Sequence, residues 1–118
     1  MKIAVIYPSR GLAFSQTCEE LLENLEGFTY DIFFSHKRPI PDCFNDPVKQ
    51  ALRGLYTHFF FVEDDMILPK NTLKTMLNEL KRYKVEAVAC DYPLDAKGKA
   101  AIFQDPVGNI IYGAQAAY

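Results

Sequence analysis

A chain of 118 residues and 13.5 kDa, 49% apolar and 24% charged, holds enough material for one domain around one core and excludes two catalytic domains. Thirteen Lys and Arg against fifteen Asp and Glu, a formal charge of -2, exclude a nucleic-acid partner gripped mainly through a basic surface. No stretch reaches the roughly 20 apolar residues of a membrane helix, and the N-terminus enters a short strand-like run without a signal-peptide layout, so the expectation is a cytoplasmic protein with no transmembrane segment, residues 1–118 forming a single domain.

Lys2 to Tyr7 (KIAVIY), an apolar β-branched run closed by Pro8, has the form of a strand buried on both faces of a parallel sheet. Ser15 or Thr17 then offers an N-cap for a helix with Leu21, Leu22 and Leu25 on one side, Glu19 and Glu20 in its first turn, and a stop at Gly27. Thr29 to Ser35 (TYDIFFS) is the second strand. Asp46-Pro47 reads as an N-cap followed by Pro at the first helical position, before Val48, Ala51, Leu52 and Leu55. His58 to Val62 (HFFFV) is the most apolar run, and burying three consecutive Phe requires helices on both faces, which predicts a central strand. Beyond Pro69, Leu73, Met76, Leu77 and Leu80 mark one face of an amphipathic helix that ends at Lys81, Arg82 and Lys84. Glu86 to Cys90 is expected to be a further strand. The tail, residues 93–118, has hairpin grammar: Ala100 to Gln104, a turn through Asp105-Pro106-Val107-Gly108-Asn109, and Ile110 to Tyr112.

This alternation predicts an α/β fold: a Rossmann-like, open, mostly parallel sheet with helices on both faces, plus a C-terminal β-hairpin. Ligands of such sheets sit at the carboxyl ends of the strands, so the chemistry is sought just after Tyr7, Ser35, Val62 and Cys90. Cys18, Cys43 and Cys90 form no CxxC pair, which points away from structural zinc and toward small, largely buried side chains in a reducing compartment.

After Val62 stand Glu63, Asp64 and Asp65. Three like charges at the end of a buried strand call for a positive partner, either a divalent cation, Mg²⁺ or Mn²⁺, or, in the plainer reading, a helix to cap or solvent. After Tyr7, Pro8-Ser9-Arg10-Gly11 offers a rigid turn with backbone N–H groups and a guanidinium suited to a phosphate or a base, or is an ordinary loop. His36-Lys37-Arg38 adds positive potential or simply faces water, and Lys49, placed on the first turn of its helix, reaches a phosphate or solvent. Asp91, in Asp91-Tyr92-Pro93, binds a substrate hydroxyl or caps a turn. The chain lacks GxGxxG, GxxxxGK[ST] and GxSxG, which removes the dinucleotide, P-loop and hydrolase-elbow chemistries.

The opening KIAVIYPSRG, followed by helix, strand, short helix and THFFFVEDDMILPKNTLKTML, resembles the nucleotide-sugar-binding half of GT-A glycosyltransferases, particularly family 2-like members, over roughly Lys2 to Pro93. In that family the acidic motif follows an apolar strand and precedes a Pro and a Leu-rich helix; here Glu63 stands in the first acidic place. The resemblance implies a sugar-nucleotide donor, UDP- or GDP-linked, and an acceptor of unknown identity. It implies that Asp65 ligates the divalent metal, that Glu63 assists it or lies near the ribose, that Asp64 sits between them, and that Pro8, Ser9 and Arg10 border the nucleoside. About 28 residues follow Cys90, too few for the family's acceptor half, so Asp91 is the one in-chain carboxylate nominated as base. Apolar residues near the end, Ile110, Ile111, Tyr112 and Tyr118, favour a homo-oligomer. The alternative from the same fold is a catalytically incomplete nucleotide-sugar-binding module. A receiver-like phosphoacceptor domain fits poorly, because no acid follows the first strand.

Overall fold

A computed structural model describes residues 1–90 and the two strands Ile102–Gln104 and Ile110–Tyr112. The elements are β1 (Lys2–Ser9), α1 (Ser15–Leu25), β2 (Thr29–His36), α2 (Asp42–Ala51), β3 (His58–Phe61), α3 (Thr72–Tyr83), β4 (Ile102–Gln104) and β5 (Ile110–Tyr112). The chain divides into two compact units, Met1–Lys74 and Thr75–Tyr118. The first carries a parallel three-stranded sheet in the order β2-β1-β3, an α/β arrangement compatible with a Rossmann-like fold. The second carries the remainder of α3 and an antiparallel pair, β4 with β5. Among the described residues no helix is long and apolar enough to cross a membrane.

The sheet is built around β1, not β3. Residues 3 to 8 of β1 are buried without interruption, and both neighbours pair with it, Lys2 with Thr29 through Ser9 with His36 on one side and Ile3 with His58 through Ile6 with Phe61 on the other. Alternate residues of β1 turn their peptide groups toward β3: Lys2 O accepts from the Thr57 N–H at 2.9 Å and Ile6 O from the Val62 N–H at 3.0 Å. Pro8 follows this alternation, and its missing N–H falls beyond the last β1–β3 pair, where no ladder bond is lost.

The expectation that HFFFV is central and buried throughout is therefore corrected. Phe60 is buried, but Phe59 is 37% and Phe61 50% exposed. Both share the face of their register partners Ala4 and Ile6, and on that face α2 covers β1 and β2. Ala4, Ile6 and Ala51 form the core there, with Phe33, Val48 and Tyr56 packed against it. The opposite face receives α1, marked by the Tyr7 hydroxyl 3.8 Å from Cys18 Sγ. Helices thus lie on both faces of the first unit's sheet.

Other boundaries also move. Phe14, in extended conformation and without a side-chain cap bond, precedes α1, so neither Ser15 nor Thr17 caps it; Thr17 is buried and no acid falls in the first turn. Leu21 and Leu25 are buried as expected, whereas Leu22 and Cys18 are exposed. Helix α2 begins at Asp42, one turn before the Asp46 cap expected from the sequence, and Pro47 lies inside it. Asp46 cannot cap, because Oδ2 already accepts from Arg38 Nε at 3.1 Å and Nη2 at 2.8 Å. Residues Glu86–Cys90 form no strand and are exposed or half-buried.

Helix α1 is fastened to the segment after β3 by two polar side chains. Asn24, buried, donates from Nδ2 to Glu20 O (2.9 Å) and Pro69 O (3.1 Å) and accepts the Leu73 N–H on Oδ1 (3.0 Å), which satisfies an amide in the first turn of α3. Glu20 Oε2 accepts the Leu68 N–H at 2.6 Å and Oε1 accepts from Gln16 Nε2 at 2.9 Å, and these bonds, that to Gln16 first, hold its carboxyl below the ordinary value of 4.5.

Replacing Asn24 by Ala strands the Leu73 amide, while the Pro69 carbonyl keeps the Thr72 N–H and hydroxyl, and the expected loss is about 1–2 kcal/mol in urea unfolding. Because the folded state holds the Glu20 proton less tightly than the unfolded chain, its contribution is present above pH 4.5 and fades as pH falls through the lower folded value. Thermal midpoints of wild type and Glu20→Gln should accordingly differ at pH 6 and converge as acid is added.

Candidate functional site

A cleft of about 250 Å³ opens at the carboxyl ends of β1 and β3 and the start of α2. Pro8, Ser9 and Arg10 line one wall, Glu63, Asp64 and Asp65 a second, and Arg38, Ile40, Cys43 and Phe44 a third. Asp64 joins the first two. Its Oδ2 accepts the Ser9 hydroxyl at 3.1 Å and the Arg10 backbone N–H at 2.9 Å, and its main-chain O accepts the Phe14 N–H at 3.2 Å. Ser9 Oγ in turn accepts the Gly11 N–H at 3.1 Å. Gly11 sits at φ +110°, a conformation that disfavours any side chain, and this turn is what lets two donors converge on one carboxylate oxygen. Asp64 is accordingly buried, 5% exposed, while its neighbours Glu63 and Asp65 face outward.

Arg10 supplies the positive charge that three adjacent acids require. Its Nη2 lies 3.7 Å from Asp64 Oδ1 and 3.5 Å from Asp65 Oδ2. The second guanidinium on the cleft, Arg38, is engaged by Asp46. Beneath the site the Tyr7 phenol is driven well above its ordinary 10, first by burial, then by its bond with Cys18, then by the charges of Asp64 and Asp65, so it remains neutral. At the end of β2, in register with Pro8, the Ser35 hydroxyl is buried without a hydrogen-bond partner among the described residues.

Of the residues expected from the sequence, Pro8, Ser9, Arg10, Glu63, Asp64 and Asp65 meet on this one cleft. Lys49 does not line it: with α2 starting at Asp42, Lys49 falls in the last turn of the helix and is exposed. Asp91 lies outside the described residues. The third wall escaped sequence reading apart from the basic run ending at Arg38, since placing the helix start at Asp46 left Ile40, Cys43 and Phe44 in an undifferentiated loop. The signal that would have found them is their position just beyond a strand end.

The acidic wall of the cleft offers carboxylate oxygens, which suit Mg²⁺ or Mn²⁺. Among the described residues no three His, Cys, Asp or Glu converge as a cage. These ions, however, are commonly held by one or two carboxylates together with substrate phosphates, and the outward-facing Asp65 and Glu63 fit that mode. Asp64 does not, its Oδ2 being committed to the β1–α1 turn.

The two kinds of acid should separate on mutation. Asp64→Ala is expected to lower unfolding free energy by about 2 kcal/mol by releasing the turn, and Asp65→Ala to change it by less than about 0.5 kcal/mol, both read from urea midpoints. No protein-family model matches the sequence, and neither the curated proteins nor the solved structures searched give a match, so the functional reading rests on the chemistry of this cleft.

Proposed function

We propose that the chain is a GT-A-type glycosyltransferase domain whose cleft binds a UDP- or GDP-sugar with Mn²⁺ or Mg²⁺ and donates the sugar to an acceptor. The observation that carries this reading is the convergence of Pro8-Ser9-Arg10 with Glu63-Asp64-Asp65 on one cleft at the carboxyl ends of parallel strands, where an α/β sheet receives its ligands. In this reading Asp65 and Glu63 hold the cation, and Arg10 pairs through its planar fork with the diphosphate. When bound, the cation supplies Lewis-acid neutralisation of the leaving diphosphate. Asp64 fixes the Arg10 backbone so that the guanidinium reaches both the acids and the anion. Asp91 is the carboxylate nominated to activate the acceptor. The same reading takes β4 and β5 as the C-terminal hairpin, the protein as cytoplasmic, and a second copy of the chain as a partner.

Calorimetric titration of UDP, GDP and their sugar conjugates tests the proposal. Binding is expected in Mn²⁺ and not in chelator, and Asp65→Ala should weaken it by about tenfold or more, the loss of a charged ligand to the cation. Equal affinity with and without metal would refute the assignment. Binding without hydrolysis or transfer to any acceptor would identify a nucleotide-sugar-binding module of the same fold.

A further inference from the structure

We propose that Arg10 competes with the divalent metal for the Asp65 carboxylate, so that metal binding itself releases the guanidinium for the incoming anion. The inference rests on the donor-site reading above and concerns what this chain does before the ligand arrives.

Charge sets the problem. With Arg38 held by Asp46, the three carboxylates on the cleft face a single guanidinium, which leaves two negative charges uncompensated among the lining residues. That deficit equals one divalent cation. Geometry sets the competition: Arg10 Nη2 stands 3.5 Å from Asp65 Oδ2, an oxygen a cation would approach, and 3.7 Å from Asp64 Oδ1. Both contacts are longer than a well-formed charged hydrogen bond, and the Arg10 side chain is 77% exposed, so the guanidinium is loosely held and displaced at little cost. Its backbone is not loose. The Arg10 N–H is bound to Asp64, and Gly11 is bound to Ser9, so a displaced side chain pivots about a fixed Cα and stays within reach of the cleft. A cation on Asp65 would take one of the guanidinium's two partners and repel it, and a phosphate on that same cation would offer it a new one. Metal and anion binding are thereby coupled through one side chain, and the coupling is reciprocal.

Arg10→Ala and Arg10→Lys test this, because the Asp64 bond uses the backbone amide and survives either change. Mn²⁺ alone, followed by calorimetry or by its electron paramagnetic resonance signal, should bind Arg10→Ala about two- to fivefold more tightly than wild type, the worth of an exposed ion pair removed from competition. UDP in saturating Mn²⁺ should bind the same variant about tenfold or more weakly, having lost a charged donor. Arg10→Lys keeps the charge but not the fork, and should match wild type for Mn²⁺ while losing part of the UDP affinity. Unchanged or weaker Mn²⁺ binding to Arg10→Ala overturns the competition, and unchanged UDP affinity overturns the release toward the anion; in both cases metal-dependent UDP binding by wild type would leave the donor site standing. If wild type itself binds UDP without regard to Mn²⁺, the inference falls together with the donor-site reading.

Discussion

Asp64 receives two donors from the turn after β1 on one carboxylate oxygen and a third, from the residue before α1, on its carbonyl. A buried carboxylate needs such bonds to remain charged away from water, and a glycine-containing turn needs a partner to hold one conformation. Each requirement is the other's solution. Because the acid follows β3 and the donors stand at and just after the end of β1, this contact ties together two strand ends that the ladder already sets side by side, on the wall where Arg10 meets Asp65. The two acids left exposed on the cleft are those that this burial leaves over.

That division of labour separates three consecutive acids that look alike in sequence. Alternation along the chain turns Asp64 inward and Glu63 and Asp65 outward. The inward acid is bonded into the fold, and the outward pair are exposed on the cleft. Positive charge beside the trio comes from within the chain, through Arg10.

Much of the first unit was legible in the sequence because its strands are short apolar runs and its crossovers carry clear amphipathic patterns. β1, α1, β2 and β3 fall within a residue or two of their expected bounds, and the strand-end rule led to the Pro8-Ser9-Arg10 turn and the acidic trio. What failed depended on partners outside the local window. Three consecutive Phe imply burial on both sides only if the strand has cover on both, yet β3 pairs with β1 alone among the described strands, and Phe61 is left half exposed. The Asp46-Pro47 pair has the grammar of a helix start, but Arg38, eight residues earlier, takes the carboxylate and the helix begins a turn sooner. The role of Asp64 was equally hidden, since a hydrogen bond across fifty-odd residues leaves no periodic trace.

Asn24 adds a constraint of another kind. Its amide reads a carbonyl of its own helix, a carbonyl after β3 and an amide at the start of α3, all at once. A helix can slide past its neighbour only by about 1.5 Å and 100° per residue, and the smallest such step would break every interhelical bond that Asn24 makes. The side chain therefore works as a detent: α1 has one allowed index against the chain that follows Asp65. The helix is thus located along its axis by a polar key and held against the sheet by its hydrophobic face.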